Sequence, residues 1–259
     1  MELVMPKVGV VTCQILELEL AFILSKDPDV SEIWIVHDEF SEELMHKLNT
    51  VGSKPVYCVP RVGEFEPVAK NGFAVLIRVM EVGLHSNIQF LKRGVTTAVE
   101  EIAPHVNSVI LGYGLCGNAL NSVSDLFKDC PVPVMLPMDN GEPVDDCIGL
   151  IIGGRENYYG EQCLCAGTMF MNAGFSRHWK KILSSDVPQK LAHKKDMILK
   201  RLMGSYERSL LLPTAVMGED DLRQKSKEFN EKYGLKVEIR PGTLTLLENA
   251  WKEAKRSAG

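Results

Sequence analysis

Seven cysteines are scattered along the 259-residue chain, and no two of them form a CxxC pair. A thiolate is both a ligand for soft metals and a nucleophile, so these residues are the first place to look for chemistry. The missing CxxC spacing counts against a ribbon-type zinc site or a ferredoxin-type cluster built from local sequence. Any metal site must be assembled by the fold from distant segments. Four ligating residues fall beside the ends of expected strands, namely Cys13, His85, Cys116 and Cys147. Three thiolates and an imidazole suit tetrahedral zinc, or another transition metal. Cys13 and Cys116 are expected in turns that open helices, where unpaired N–H groups favour the thiolate. Cys147 directly precedes the expected strand Ile148–Ile152, so it reaches the others only if that strand is reversed or a loop extends. The alternative for each cysteine is a small buried hydrophobe.

Other groups offer further chemistry. Gly112, Gly114 and Gly117 form a GxGxxG between an expected strand and helix, followed by Asn118. This is the context of a nucleotide-binding loop, although Cys116 stands where pyrophosphate would approach. The other reading is a tight turn that carries Cys116 into a crevice. Gly153, Gly154 and Arg155 could receive an anion through backbone N–H groups and a guanidinium, or form a turn with a surface ion pair. Asp139, Glu142, Asp145 and Asp146 crowd one loop, as a hard-cation site or a solvated acidic stretch. Cys163 and Cys165 form a CxC whose side chains point apart in an extended segment. His37-Asp38 and His178-Trp179 each have a bland reading, as a helix entry and as packing. Glu17 and Glu19 lie among Ile15, Leu16, Leu18 and Leu20, so one must lean toward the apolar side. Glu19 is a candidate general base or supporting group, and Arg155 a candidate catalytic cation.

Positioning such residues falls to a strand–helix alternation that runs almost end to end. Val8–Thr12, Ile33–Val36, Pro55–Val59, Phe73–Val79, Ser108–Leu111, Val132–Leu136, Ile148–Ile152, Ser209–Leu212 and Lys236–Ile239 read as strands. Several are apolar at every position, as strands covered on both faces are. Ile15–Leu24, Glu42–Leu48, Asn87–Ile102, Leu120–Phe127, Lys190–Met203, Asp220–Tyr233 and Leu244–Ala254 carry helical spacing. The pattern predicts an α/β fold with a mainly parallel, Rossmann-like sheet and helices on both faces. Tyr158–Asp186, rich in Gly, Cys, Met and aromatics, reads as a long loop. Residues 1–206 would form the α/β domain that carries the Cys/His site. Residues 207–259 would form a C-terminal β-α-β-α unit, packed on the same sheet as its far edge or standing as a small second lobe.

Composition sets outer limits. The chain has 29 basic and 34 acidic residues, a net charge of −5, with 45% apolar residues. No basic stripe marks a nucleic-acid binder, and no apolar run approaches the roughly 20 residues of a membrane span. The opening MELVMPKVGVVTC lacks a basic segment followed by a long apolar core, so a cytoplasmic location with reduced thiols is expected. Parallel sheets gather ligands beyond the carboxyl ends of their strands, where these thiols are expected.

The strings SVILGYGLCGNAL, PVDDCIGLIIGGRENYY, EQCLCAGTMFMNAGF and EVGLHSNIQFLKRG together resemble the domain-of-unknown-function 1638 family of methanogenic archaea and anaerobic bacteria. The resemblance runs from about Val8 to Trp179, with a looser match beyond. It implies that Cys13, Glu19, His85, Cys116 and Cys147 match recurrent family positions. Many members carry His-Asp-Cys where this chain has Asp145-Asp146-Cys147, so Asp145, Asp146 or neither would replace that histidine here. Family genes often neighbour corrinoid methyltransferase genes, which implies one-carbon metabolism.

Three functional expectations follow. The first is a metal-binding, zinc-thiolate protein acting on a small-molecule thiol or methyl donor. The second is a non-catalytic accessory factor for a corrinoid or methyltransferase protein. The third is a nucleotide-binding redox enzyme using the Gly112–Gly117 loop.

Overall fold

The computed structural model describes residues 5–185 and 187–259, apart from the side chain of Gln189. The expected long loop ends on Asp186, which lies outside the described residues. In chain order the elements are β1 (Lys7–Cys13), α1 (Glu17–Lys26), β2 (Val30–Val36), α2 (Glu42–Val51), β3 (Val56–Val59), β4 (Phe73–Met80), α3 (Ile88–Ile102) and β5 (Ser108–Gly112). There follow α4 (Val123–Leu126), β6 (Val134–Met135), β7 (Met138–Asp139), β8 (Glu142–Pro143), α5 (Cys147–Ile152), α6 (Arg155–Leu164) and β9 (Thr168–Met171). The chain ends with α7 (Ala173–Ser185), α8 (Lys195–Met203), β10 (Arg208–Leu211), α9 (Glu219–Tyr233), β11 (Lys236–Ile239) and α10 (Thr245–Ala258).

Six strands form one parallel sheet in the order β3-β2-β4-β1-β5-β6. The α/β Rossmann-like expectation therefore holds. The three central strands, β4, β1 and β5, are apolar at most positions because helices shield them from water, and residues such as Val10, Val75 and Ile110 are wholly buried. Their carboxyl ends lie side by side, since Thr12 pairs with both Val79 and Gly112. Whatever follows these three strands is delivered to one place.

Three expectations need correction. Ile148–Ile152 is helix α5, not a strand. Asp146 is its N-cap, accepting from the Gly149 N–H at 2.9 Å, and Gly153 closes it with a φ of 88°. These two caps outweigh the β-branched run between them. The segment read as the loop Tyr158–Asp186 is instead most of α6, then β9 and α7. The C-terminal unit does not extend the first sheet. Its strands β10 and β11 join β9 in a separate three-stranded parallel sheet, β11-β10-β9. Helix α10 returns to the first sheet, where the Ala254 carbonyl accepts from Ser108 and Asp27 accepts from Trp251 and Lys255. The second sheet has its own core, in which Phe229 meets Phe175, Trp179 and Tyr233 edge-on.

Candidate functional site: a thiol cluster at the ends of the central strands

Cys13 is the last residue of β1 and is buried. Beyond β4 the chain makes a 3₁₀ turn, Val82–Ser86, which carries His85. Gln14 ties these two segments together, because its side-chain carbonyl accepts from the Val82 N–H at 3.1 Å. Within the turn, His85 Nδ1 bonds the Val82 carbonyl. A carbonyl only accepts, so Nδ1 carries a proton, and Nε2 is the nitrogen by which the ring would ligate a metal.

The loop after β5 carries Tyr113 and Cys116, and it is laced to the segment before α5. Leu115 N–H donates to the Val144 carbonyl and Cys116 N–H to the Asp145 carbonyl, each at 2.8 Å. Gly114 is essential to this contact, since a Cβ there would stand 2.5 Å from the Asp146 backbone. The lacing places the Cys116 and Cys147 sulfurs 3.9 Å apart. No reversed strand is needed to bring Cys147 in, because it opens α5 and the Gly114 contact carries it there.

Cys13, His85, Cys116 and Cys147 line a single cavity of about 470 Å³, together with Glu81, Tyr113, Asp146 and a wall of apolar side chains. The structure thus brings all four sequence-predicted metal ligands to one cavity. Among the described residues no three His, Cys, Asp or Glu side chains already converge as a metal-binding cluster. Of the four acids crowded before Cys147, Asp146 is the one that lines the cavity. It caps α5 with one oxygen and accepts from the Tyr158 hydroxyl at 2.9 Å with the other. Asp145 pairs outward with Arg155 at 3.6 Å.

Electrostatics oppose free thiolates here. The Cys147 thiol and burial both push the Cys116 thiol well up. The Cys116 thiol draws Cys147 down, but its Cys13 neighbour and burial prevail and hold it well up. The expected helix-dipole activation of Cys116 is also absent, since this residue sits in a turn at φ 47° and α4 begins only at Val123. Ionising the pair requires a positive charge among the sulfurs.

The other candidate residues go elsewhere. Glu19 is fully buried beneath α1, accepts from Asn172 at 3.1 Å, and is pushed up to about 7 by burial. Glu17 is buried as well, so both carboxylates lean inward, and it meets His178 at 3.0 Å. Neither glutamate lines the cavity, nor does Arg155. The Gly153-Gly154 turn does receive an anion, but it is the chain's own Asp139, which accepts the Arg155 N–H at 3.0 Å. In the Gly112–Gly117 loop, Leu115 and Cys116 spend their N–H groups on the neighbouring segment, so they cannot cradle pyrophosphate. Gly117 and Asn118 have positive φ values of 67° and 64°, as a tight turn demands. Cys163 is exposed on α6, Cys165 half-buried just beyond it, and neither lines the cavity.

Sequence reasoning missed Tyr113, Glu81, and the contributions of Phe175 and Ile182 from α7. Tyr113 sits inside the glycine motif, so the motif was the signal, read for its glycines alone.

The fold and site define an α/β protein of two parallel sheets, with a thiol-lined cavity at the carboxyl ends of the three central strands of the larger one. No helix of the described residues is long and apolar enough to cross a membrane. The chain belongs to the family described as protein of unknown function (DUF1638), whose model matches residues 79–251. The match takes in His85, Cys116 and Cys147 and continues through the C-terminal unit, while Cys13 and Glu19 precede it. Comparison with curated proteins finds no match.

Proposed function

We propose that the cavity is a thiolate metal centre, which holds one zinc-class ion through Cys13, Cys116 and Cys147 with His85 as the fourth ligand, and serves a small thiol or methyl-bearing molecule. The observation that carries this reading is the 3.9 Å between the Cys116 and Cys147 sulfurs. Two thiolates on a tetrahedral zinc, with Zn–S about 2.3 Å, stand about 3.8 Å apart. The donor chemistry agrees, for three sulfurs and a nitrogen suit a borderline-soft ion. A bound cation would also supply the charge that this buried thiol cluster needs in order to ionise.

The protein's own residues divide the work. Cys116 and Cys147 are held as a pair by the Gly114 contact, and Cys13 is presented by the central strand. His85 sits on a short turn with its tautomer set by Val82. When bound, the ion would lower the pKa of a thiol or water that takes the fourth position from His85. The apolar walls offer a hydrocarbon surface beside the sulfurs, and Asp146 fixes the start of α5 and with it the Cys147 backbone.

Elemental analysis of the untagged protein, with thiol counting, tests this reading. One equivalent of zinc is expected, falling below about a tenth in a Cys116→Ser, Cys147→Ser double variant. Metal retained by that variant, or none in the parent protein after reconstitution, refutes it. An accessory role draws support from a different feature, the exposed Ile88 and Phe90 on the first turn of α3, with Ile88 reaching the cavity wall. It predicts co-purification with a corrinoid or methyltransferase protein, lost on Phe90→Ser. The nucleotide reading keeps little support once the Leu115 and Cys116 amides are spent.

A further inference from the structure

We propose that the ligand of the thiol cavity is a small, mainly apolar molecule that is uncharged or cationic, and that the Tyr113 hydroxyl is its hydrogen-bond donor; this rests on the metal-centre reading above. The first support is the charge of the walls. Among the described residues no lysine or arginine lines the cavity, while the carboxylates Glu81 and Asp146 do. Lys181, next to Ile182 in the chain, is already engaged with Glu81 at 3.2 Å, and Arg155 with Asp145 at 3.6 Å. A divalent ion held by three thiolates would carry no net positive charge, so the charge of an anionic ligand would be desolvated with no cation to receive it. A phosphate, carboxylate or sulfonate is therefore the wrong ligand for this space.

The second support is an unsatisfied donor. Tyr113 is 1% exposed and lines the cavity, yet its hydroxyl has no hydrogen-bond partner. Buried hydroxyls are normally paired, and one left alone costs about 1–3 kcal/mol. The cavity side is where a partner would come from, because the remainder of the ring is packed in the main core. Elsewhere the cavity wall is formed by the hydrocarbon of Ile15, Val82, Leu91, Phe175 and Ile182. A ligand that puts one acceptor atom on Tyr113 and an alkyl body against that wall satisfies both features.

Cobalt(II)-reconstituted protein provides the test, because thiol binding changes its visible spectrum. The probes are 1-mercaptopropan-2-ol, 1-amino-3-mercaptopropan-2-ol and 3-mercaptopropionate, which each carry an oxygen acceptor besides the sulfur and are similar in size but differ in charge. The neutral and cationic probes are expected to bind at least about tenfold tighter than the carboxylate. Tyr113→Phe is expected to weaken the better probe about five- to tenfold, with metal stoichiometry unchanged. Equal or tighter binding of 3-mercaptopropionate, or binding of none of the three, overturns the ligand class. Unchanged affinity in Tyr113→Phe overturns the donor role. Protein that takes up no cobalt or zinc sinks the metal-centre reading itself, a result distinct from either.

Discussion

The sulfurs of Cys116 and Cys147 stand 3.9 Å apart although 31 residues separate them in the chain. Their proximity is produced by backbone contacts, the two hydrogen bonds from Leu115 and Cys116 to Val144 and Asp145. The pair is thus set before any ligand arrives. In metal-free protein Cys147 is buried and Cys116 half-buried, and both thiols are held protonated, whereas Cys163 is exposed. Since the thiolate is the reactive form, iodoacetamide at pH 7.5 should label Cys163 at least about tenfold faster than Cys116 or Cys147. Peptide mass mapping over time checks the order. Faster labelling of Cys116 would mean that the loop is open in solution.

A second prediction concerns Glu19. Burial raises its carboxyl from the ordinary value of 4.5 to about 7, and Asn172 donates to one oxygen. The folded state therefore binds the proton more tightly than the unfolded state does. Its contribution to stability is complete below about pH 4.5 and is lost as pH rises through about 7. The loss is of order 3 kcal/mol, from about 1.4 kcal/mol per pKa unit. Glu19→Gln keeps the acceptor for Asn172 and removes the ionisation. Urea unfolding should find this variant close to the parent protein at pH 5 and more stable at pH 8. Equal stability at both values would show that Glu19 is not held protonated.

These two regions differ in how far the sequence disclosed them. The larger sheet was legible because β1, β4 and β5 are apolar runs at regular spacing, and strands of that kind must be covered. The four ligand positions were legible because each lies beside a strand end. Cys147 was placed on the wrong element, since Ile148, Ile151 and Ile152 read as a strand unless Asp146 and Gly153 are recognised as caps. Strand β9 was hidden because four residues, Thr168–Met171, lie between a CxC and an Asn-Ala-Gly turn. With β9 unseen, β10 and β11 had no partner except the first sheet. The fate of the Gly153-Gly154 turn was illegible for another reason, because only three-dimensional packing brings Asp139 onto it.

That turn supplies a third prediction. Gly154 has a φ of 105°, and a Cβ there would collide with the Asp139 carboxylate. Gly154→Ala should cost about 1–3 kcal/mol through strain alone and more through loss of the Asp139 contact. Gly160 is the internal control, lying in α6 with open space around its Cα. Gly160→Ala should stabilise by about 0.5–1 kcal/mol, because alanine is the better helix former. Denaturant unfolding of the two variants should move the midpoint in opposite directions.

The second sheet depends on Arg208, and this gives the fourth prediction. Its guanidinium reaches Thr168 at 2.8 Å, Glu238 at 2.6 Å, and both the carbonyl and the carboxylate of Glu161 at 2.9 and 2.8 Å. Arg208 thereby joins β9, β10 and β11 to α6, and Arg240 braces the same Glu161 at 2.5 Å. Truncation leaves Glu161 buried with one partner and strands Thr168 and Glu238. Breaking a buried pair from one side typically costs about 3–5 kcal/mol, so Arg208→Ala should lie near that range. Arg208→Lys should recover only a minor part, because a single ammonium cannot serve four acceptors arranged around a planar fork. The site on the larger sheet makes no use of this network. The variant should therefore keep its metal stoichiometry at low temperature while its unfolding midpoint falls. Loss of metal in the folded variant would show that the two sheets are coupled more tightly than these contacts indicate.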